Sequence, residues 1–274
     1  MATDILDQLK ETAKFLQEQY SNKPSVGIVL GSGLGNFIDE IEVEKEVSYA
    51  DIPHFPVSTV EGHKGKLVFG KLSGKTVVAM AGRFHFYEGY LAQDVVFPIR
   101  VMKLLGVETL LLSNAAGAVN TTYKVGDIMI IKDHISFFTP NPLIGKNIDE
   151  FGPRFPDMSE PYKRSLIQKV KAIAAANNID IKEGVYVSVT GPTFETRAEY
   201  QLIHVIGADV VGMSTVQENI VANHMGMSVV AISVVTDLGI RADDNIITHE
   251  EVLQAAKEAE PKLALLFKEL IAAI

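Results

Sequence analysis

Arg83 and His85 stand two residues apart in the segment RFHFYEG, residues 83–89. An extended segment would put both side chains on one face, with Phe84 and Phe86 on the other. Arginine donates two parallel hydrogen bonds to an oxyanion, and a neighbouring histidine adds a further polar group. The pattern indicates a site for a small oxyanion, although a surface arginine beside a half-buried structural histidine would show the same spacing.

Several segments rich in small residues could complete such a site. The segment GSGLG, residues 31–35, follows an apolar run, and a glycine-rich turn lets backbone N–H groups approach an anion closely. It is not a dinucleotide fingerprint, because Asn36 stands where the third glycine would be, and no Gly-Lys pair of a Walker loop follows. Alone, it is equally typical of a tight turn between strand and helix. Elsewhere Ala115 and Ser214 follow apolar runs, and His63 lies in a glycine-flanked loop.

Glu195 and Asp237 are acidic residues that follow two different apolar runs, beside Phe194 and Thr236. Carboxylates in an aromatic pocket can hydrogen-bond the edge of a heterocycle, and desolvation can raise the pKa of one until it holds a proton. Each acid alone is equally typical of a helix N-terminus. Beside an anion site, the two acids favour a reaction in which phosphate is the nucleophile over a glycosidase with paired carboxylates.

Composition sets the class of protein. Of the 274 residues, 47% are hydrophobic and 22% charged, as in an ordinary globular protein, and the net charge of −9 argues against a nucleic-acid-binding surface. The absence of cysteine excludes disulfides, thiolate catalysis and cysteine-bound metals. No uncharged apolar run approaches the length of a membrane span and no basic signal segment starts the chain, so we expect a cytoplasmic protein without membrane partners.

The remaining histidines do not indicate a metal site. Asp133 and His134 form a lone pair at the end of an apolar run, which is more typical of structural residues than of ligands. His54, His204 and His224 lie in apolar or helical surroundings, and nothing couples them to the residues above. We expect all five to be structural.

Short β-branched apolar runs alternate with amphipathic stretches along the chain, which predicts an α/β fold. Several runs are apolar on both faces, as strands covered by helices are, and two neighbouring runs suggest a hairpin within a mixed sheet. Strands are predicted at residues 25–30, 66–69, 76–80, 109–112, 127–131, 184–189, 209–211 and 228–235. Helices are predicted at residues 92–105, 160–176, 196–205 and 216–225 and at both ends of the chain, the last one broken or restarted at Pro261.

The residues that could do chemistry directly follow six of the predicted strands. Ligands of open α/β sheets bind beyond the carboxyl ends of the strands, so we expect one shared crevice that combines the oxyanion site with the pocket for a heterocycle. No repeat, low-complexity stretch or linker divides the chain, which predicts a single domain over residues 1–274.

Six segments, in this order and spacing, resemble the trimeric purine nucleoside phosphorylases, and the resemblance extends from about residue 24 to His249. The matching segments are GSGLG (31–35), VSTVEGH (57–63), GRFHFYEG (82–89), SNAAG (113–117), GPTFET (191–196) and GMST (212–215). Together they are far more specific than any one glycine-rich loop.

The resemblance implies purine salvage by reversible phosphorolysis: a purine (deoxy)ribonucleoside and phosphate give the free base and (deoxy)ribose 1-phosphate. It implies a mixed sheet flanked by helices, inorganic phosphate as co-substrate, no metal or organic cofactor, and a homotrimer in which Phe155 contacts the neighbouring subunit's site. The implied phosphate ligands are Ser32, His63, Arg83, His85, the backbone N–H of Ala115, and Ser214. The implied nucleoside ligands are Tyr87, Met213 and His249 at the sugar and Phe194, Glu195 and Asp237 at the base, with Glu195, Asp237 and His85 as catalytic residues.

Asp237 departs from the family pattern, because members specific for 6-oxopurines typically carry asparagine there. An amide donates and accepts, whereas an ionised carboxylate only accepts, so Asp237 favours a 6-amino group. Glu195 matches the family glutamate that accepts from N1–H of a 6-oxopurine. We therefore expect turnover of inosine and guanosine, with adenosine tolerated; residues 238–245 also depart from the usual pattern.

Three other functions stay open. A methylthioadenosine-type phosphorylase is favoured by Asp237 and disfavoured by Glu195 and by His249, which suits a 5′-hydroxyl better than a methylthio group. A purine nucleosidase would use water, with a carboxylate base near the sugar and no phosphate site. A non-catalytic regulatory module would bind a purine without turning it over.

Overall fold

A computed structural model describes residues 4–57, 64–241 and 247–274 of the chain. Within these ranges nine strands form one mixed sheet. The strands are β1 (Val26–Val29), β2 (Glu42–Ser48), β3 (Lys66–Leu72), β4 (Lys75–Ala81), β5 (Thr109–Ala118), β6 (Ile128–Ile135), β7 (Ile181–Ser188), β8 (Val210–Gly212) and β9 (Ser228–Leu238). Their order in the sheet is β2-β3-β4-β1-β5-β8-β7-β6-β9, with a further pairing between β5 and β9.

The expected hairpin is formed by β3 and β4, which pair antiparallel from Lys66 opposite Ala81 to Leu72 opposite Lys75. Ser73 and Gly74 connect them at φ values of 49° and 77°, the left-handed conformation that a two-residue hairpin turn requires. β2 pairs with β3 at the edge of the sheet and was not predicted, because its charged, mostly exposed sequence lacks an apolar face.

The second half of the sheet closes on itself around β5. This strand pairs in parallel with β1 and β9 and antiparallel with β8, while β9 continues through β6 and β7 back to β8. β5 and β9 are longer than predicted, since they run on to Ala118 and Leu238 through segments expected to be loops. The extra length places small and polar residues inside paired strands rather than beyond them.

The expected crevice therefore arises differently from a row of parallel strand ends. β7 and β8 run opposite to β5, and the register sets Val211, near the end of β8, beside Gly117 in the second half of β5. The segments that follow β7 and β8 consequently lie next to Ala116 and Gly117, in the second half of β5. One crevice forms, as predicted, but two of its walls are the segments after β7 and β8, which run antiparallel to β5.

Helices flank the sheet: α1 packs on α3 and α3 on α6, while α7 packs on α4, β9, β5 and β3. They are α1 (Ile5–Gln19), α2 (Ala92–Val95), α3 (Phe97–Leu105), α4 (Arg164–Ala176), α5 (Arg197–Val205), α6 (Val216–His224) and α7 (His249–Ala272). The stretch expected to form one helix at residues 92–105 is divided at Val96, just before Pro98 in the first turn of α3. In the described ranges no helix is long and apolar enough to cross a membrane.

Pro261 lies inside α7, so the expected break there was wrong. Proline cannot donate a backbone hydrogen bond and its ring crowds the preceding turn, which normally ends a helix. Here the residue is exposed, while Leu263, Leu266 and Leu270 are buried on the opposite side of α7. Burial of that apolar face keeps the helix continuous across the proline.

Replacing Pro261 with alanine is expected to raise the free energy of unfolding by about 1–3 kcal/mol, because alanine restores a helical hydrogen bond without a steric clash. Urea unfolding followed by circular dichroism measures the change. The matched control is Lys262→Ala at the next, equally exposed position, which should change stability by less than about 0.5 kcal/mol. A less stable Pro261→Ala protein would contradict this account of α7.

Candidate active site

A cavity of about 610 Å³ opens where β5, β8 and β9 meet, within the size range of small-molecule sites. Its wall combines the segments after β1, β4, β7 and β8 with the second halves of β5 and β9 and the first turn of α7. Among the predicted site residues, it is lined by Ser32, Arg83, His85, Tyr87, Ala115, Phe194, Glu195, Met213, Ser214, Asp237 and His249.

Two predicted site residues remain to be accounted for. His63 lies outside the described residues. Phe155 is 87% exposed and borders a second cavity of about 500 Å³, together with the exposed Phe137 and Ile144. Its ring lies 5.8 Å from the guanidinium carbon of Arg154.

The glycine-rich loop after β1 is pressed between β5 and α7. The N–H of Gly31 donates to the Ser113 hydroxyl at 3.2 Å, and a Cβ at Gly31 would lie only 2.9 Å from backbone atoms of β5. Gly33 has a φ of 75°, and a Cβ there would lie 2.6 Å from the Cβ of Ala256 in α7. Only glycine allows this approach, which brings Ser32 to the cavity.

Arg83 is 1% exposed, and its charge is paired inside the protein. Its Nε and Nη2 donate to the two carboxylate oxygens of Glu218 in α6 at 3.1 and 2.9 Å. Its Nη1 donates to the backbone carbonyl of Ser113 and, at 3.3 Å, to the Ser214 hydroxyl. The parallel pair of hydrogen bonds that the sequence led us to expect for an oxyanion is thus made with Glu218, and this pair fixes the guanidinium at the cavity wall.

His85 is held by Glu88 on the short 3-10 helix that follows it. Glu88 Oε1 accepts from the backbone N–H of His85 at 2.8 Å and lies 3.2 Å from Nδ1. Because a carboxylate only accepts, Nδ1 carries a proton and Nε2 is the basic nitrogen of the neutral ring. Burial lowers the pKa of His85, and its ring stacks on Tyr87 with centroids 4.7 Å apart. A neutral ring of this tautomer can accept a hydrogen bond through Nε2.

The opposite end of the cavity holds two carboxyl groups. Burial raises the pKa of Asp237 and, helped by the nearby charge of Asp237, that of Glu195. The Thr236 hydroxyl donates to Asp237 Oδ1 at 3.0 Å. Gly117 leaves room for this carboxyl, since a Cβ there would lie 2.6 Å from Asp237 Oδ2. A raised pKa makes each carboxyl group easier to protonate, so each can present either an acceptor or a proton to a ligand.

One end of the cavity, called the donor end below, is formed by Ser32, Arg83, Ala115 and Ser214. Four polar residues at or behind it were not predicted from the sequence: Glu88, Asn114, Thr215 and Glu218. Glu88 and Asn114 line the cavity, while Thr215 and Glu218 lie directly behind it. The first three stand inside segments that were singled out, so their neighbours were the available signal. Glu218 looks like an ordinary helix residue, and only the fold brings it to Arg83. No group of three His, Cys, Asp or Glu side chains in the described ranges could hold a metal ion.

Comparison with known proteins first defines the class. Residues 25–272 match the model of the Phosphorylase superfamily, so the chain belongs to that superfamily. Within it, the chain belongs to the purine nucleoside phosphorylases, which are pentosyltransferases. It is 50% identical to purine nucleoside phosphorylase 1 of Bacillus subtilis, over 97% of this chain and 98% of that protein. It is 46% identical to the purine nucleoside phosphorylase of Bos taurus, over 98% and 95%.

Solved structures agree with the sequence relatives. Isoform 2 of the Schistosoma mansoni enzyme, in complex with cytosine and ribose-1-phosphate, superposes with a TM-score of 0.93 at 45% identity, covering 98% of this chain and 96% of that one. A Schistosoma mansoni enzyme in complex with inosine gives a TM-score of 0.92 at 40% identity, covering 98% and 97%. The predicted family and the α/β fold with a mixed sheet are confirmed.

Glu218→Ala is expected to lower the free energy of unfolding by about 3–5 kcal/mol, because it leaves the buried Arg83 guanidinium without its carboxylate. Urea unfolding at a fixed protein concentration measures the loss. Glu183→Ala is the matched control, because it removes the exposed partner of Lys171 and should cost less than about 1 kcal/mol. Equal losses in the two variants would contradict the role given to the buried pair.

Proposed function

We propose that this chain converts a purine nucleoside and inorganic phosphate into the free base and a pentose 1-phosphate, with inosine and guanosine preferred and adenosine tolerated. The observation that carries the proposal is the division of one cavity into two chemically different ends. Hydroxyl, backbone N–H and guanidinium donors line one end, at Ser32, Ala115, Ser214 and Arg83, and the Glu195–Asp237 pair lines the other.

The donor end suits phosphate rather than a chain of phosphates. Among the residues that the structure describes, the arginine at this end, Arg83, is paired with Glu218, so we expect most of the binding to come from hydroxyl and N–H donors directed at a single anion. The neutral His85, with Nδ1 held by Glu88, can accept a hydrogen bond through Nε2 from the hydroxyl group of the phosphate dianion, which is the better nucleophile. This donor set needs no metal or organic cofactor.

In the proposed step a phosphate oxygen forms a bond to C1′ of the sugar as the bond from C1′ to the purine nitrogen breaks. The bonding electron pair leaves with the base, and positive charge develops transiently on the sugar ring, beside the phosphate. A hydrogen bond or proton from Asp237 to the purine ring compensates the charge on the leaving base. Each preorganised contact of this kind can lower the barrier by roughly 3–4 kcal/mol.

Base choice depends on whether Glu195 and Asp237 are protonated. An ionised Glu195 accepts from N1–H of a 6-oxopurine, while a protonated Asp237 donates to the same base. When Asp237 is ionised, it accepts from a 6-amino group instead, which admits adenosine. His249, in the first turn of α7, lines the cavity and suits a 5′-hydroxyl. Asp237 also favours the methylthioadenosine-type alternative, which His249 and Glu195 oppose.

Homotrimer formation is part of the proposal, with Phe155 completing a neighbour's site near Tyr87 and Met213. It is supported by exposed apolar side chains around the second cavity, which proteins rarely leave in water. We also propose purine salvage in the cytoplasm, because phosphate and the pentose phosphate product are anions that membranes retain.

A turnover panel of inosine, guanosine, adenosine and methylthioadenosine, with and without phosphate, tests the function. Inosine and guanosine should be cleaved fastest, only with phosphate, and with pentose 1-phosphate released in equal amount to base. EDTA should leave the rate unchanged. Cleavage without phosphate would show a nucleosidase, fastest turnover of methylthioadenosine the rival phosphorylase, and binding without cleavage a regulatory module.

Asp237→Asn tests the base-recognition model on inosine and adenosine. Because burial raises the pKa of Asp237, its donor form is lost as pH rises through that pKa, and wild-type inosine turnover should fall on the alkaline side. Asparagine donates at every pH, so the variant should lose that fall. Its adenosine-to-inosine ratio of kcat/KM should drop by about tenfold or more. An unchanged ratio would refute the model.

Phe155→Ala should raise KM for inosine several-fold and leave KM for phosphate within about twofold, because the ring would cover the sugar in a neighbouring subunit. The exposed Val43, at the far edge of the sheet, provides the matched control when changed to alanine. Sedimentation equilibrium of the wild type should give three times the mass of one chain. A monomer, or an unchanged KM for inosine in Phe155→Ala, would contradict the trimer proposal.

A further inference from the structure

Behind the donor end of the cavity, three polar side chains form a continuous chain of hydrogen bonds. Asn114 Nδ2 lies 2.8 Å from Thr215 Oγ1, which lies 3.1 Å from Ser214 Oγ. Ser214 Oγ in turn accepts from Arg83 Nη1 at 3.3 Å. Asn114 and Thr215 are almost completely buried, so water does not compete for these contacts.

The donors and acceptors in this chain can be assigned from chemistry. An amide nitrogen and a guanidinium nitrogen only donate, so Thr215 Oγ1 accepts from Asn114 and Ser214 Oγ accepts from Arg83. In the part of the chain that the structure describes, the polar groups in contact with the Thr215 hydroxyl are Asn114 and Ser214. The single hydrogen of Thr215 is therefore directed to Ser214, since any other direction would bury an unsatisfied donor.

Ser214 Oγ then accepts two hydrogen bonds, one from Thr215 and one from Arg83. A hydroxyl has one hydrogen and two lone pairs, so both lone pairs are engaged and the hydrogen of Ser214 must point along the remaining direction. That direction is the cavity, which Ser214 lines. The reverse amide orientation of Asn114 would turn its acceptor towards Thr215 and reverse the two bonds that join Asn114, Thr215 and Ser214, while Arg83 would still donate to Ser214.

The backbone at Thr215 independently indicates that its side chain is needed. Thr215 precedes α6 with a φ of 70° and a ψ of −50°. A β-branched residue is strained at positive φ, and glycine would relieve the strain. Such strain persists where the surrounding structure requires the particular side chain, most often at functional sites.

We propose that Asn114 and Thr215 are positioning residues that hold the Ser214 hydroxyl as a hydrogen-bond donor to the anion. The inference rests on the proposed function, in which Ser214 binds phosphate. A donor fixed in advance loses no rotational freedom on binding, and it selects a ligand with an acceptor oxygen at that point. Neither Asn114 nor Thr215 needs to touch the reacting atoms.

The test is steady-state kinetics at varied phosphate and saturating inosine, repeated at varied inosine and saturating phosphate. Thr215→Val keeps the shape of the side chain and removes its hydroxyl, so it should raise KM for phosphate about threefold to tenfold. KM for inosine should stay within about twofold, a split that a general loss of structure would not produce. Thr215→Ser, which restores the hydroxyl, should recover most of the phosphate affinity relative to Thr215→Val.

Ser214→Ala completes a double-mutant cycle and separates this inference from the proposed function. It should raise KM for phosphate about tenfold by itself. In the Ser214→Ala background, Thr215→Val should have less than about a twofold further effect, because no hydroxyl is left to position. If Ser214→Ala leaves KM for phosphate unchanged, the proposed phosphate site fails and the inference fails with it. If Ser214→Ala raises it and Thr215→Val does not, the inference alone is wrong.

Asn114→Asp provides a second variant should Thr215→Val not fold. Its carboxylate accepts from Thr215, which then accepts from Ser214, so the Ser214 hydrogen is withdrawn from the cavity. KM for phosphate should rise more than about tenfold, and the effect should shrink in the Ser214→Ala background to the part caused by the added charge. An equal rise in both backgrounds would overturn the inference.

Discussion

A buried cavity can hold a doubly charged anion only if the surrounding charges are balanced both before and after the anion arrives. The Arg83–Glu218 pair compensates one buried charge at this site, because a buried guanidinium without a carboxylate would be strongly destabilising. The pairing also limits what Arg83 can contribute, since much of its hydrogen-bonding capacity is already committed to Glu218. Among the described residues, the proposed phosphate binding therefore depends on a rigid set of neutral donors around the compensated Arg83, and those donors must be oriented before the ligand enters.

The closed part of the sheet supplies that rigidity. β5 pairs with β9 along its whole length and carries Ser113, Asn114 and Ala115 within that ladder, so these groups cannot adjust as loop residues would. β8 approaches antiparallel and ends beside β5, which sets Ser214 against Arg83 and Thr215 against Asn114. β9 brings Asp237 alongside Gly117 at the other end. The distance between the donor end and the two carboxyl groups is thus fixed by strand register, as a reaction between two separately bound molecules requires.

Much of this arrangement could be predicted from the sequence because chemistry-bearing residues cluster after apolar runs. The α/β class, the hairpin and most of the cavity wall follow from such local patterns. The edge strand β2 was missed because a strand exposed to water carries no apolar pattern. The helix break predicted at Pro261 was wrong because burial of the apolar face of α7 outweighs the local helix-breaking effect of proline. Glu218 could not be recognised as a site residue for another reason: it acquires its role through Arg83, which is 135 positions away, and a single sequence does not contain that proximity.

In the proposed reaction, phosphate and the nucleoside occupy opposite ends of one cavity. A crystal structure of the protein with ribose 1-phosphate and hypoxanthine would show both ends at once. We expect the phosphate group within hydrogen-bonding distance of Ser214 Oγ and the backbone N–H of Ala115, with the base between Phe194 and the carboxyl groups of Glu195 and Asp237. A phosphate group bound away from Ser214 and Arg83, or a base placed outside the reach of both carboxyl groups, would contradict it.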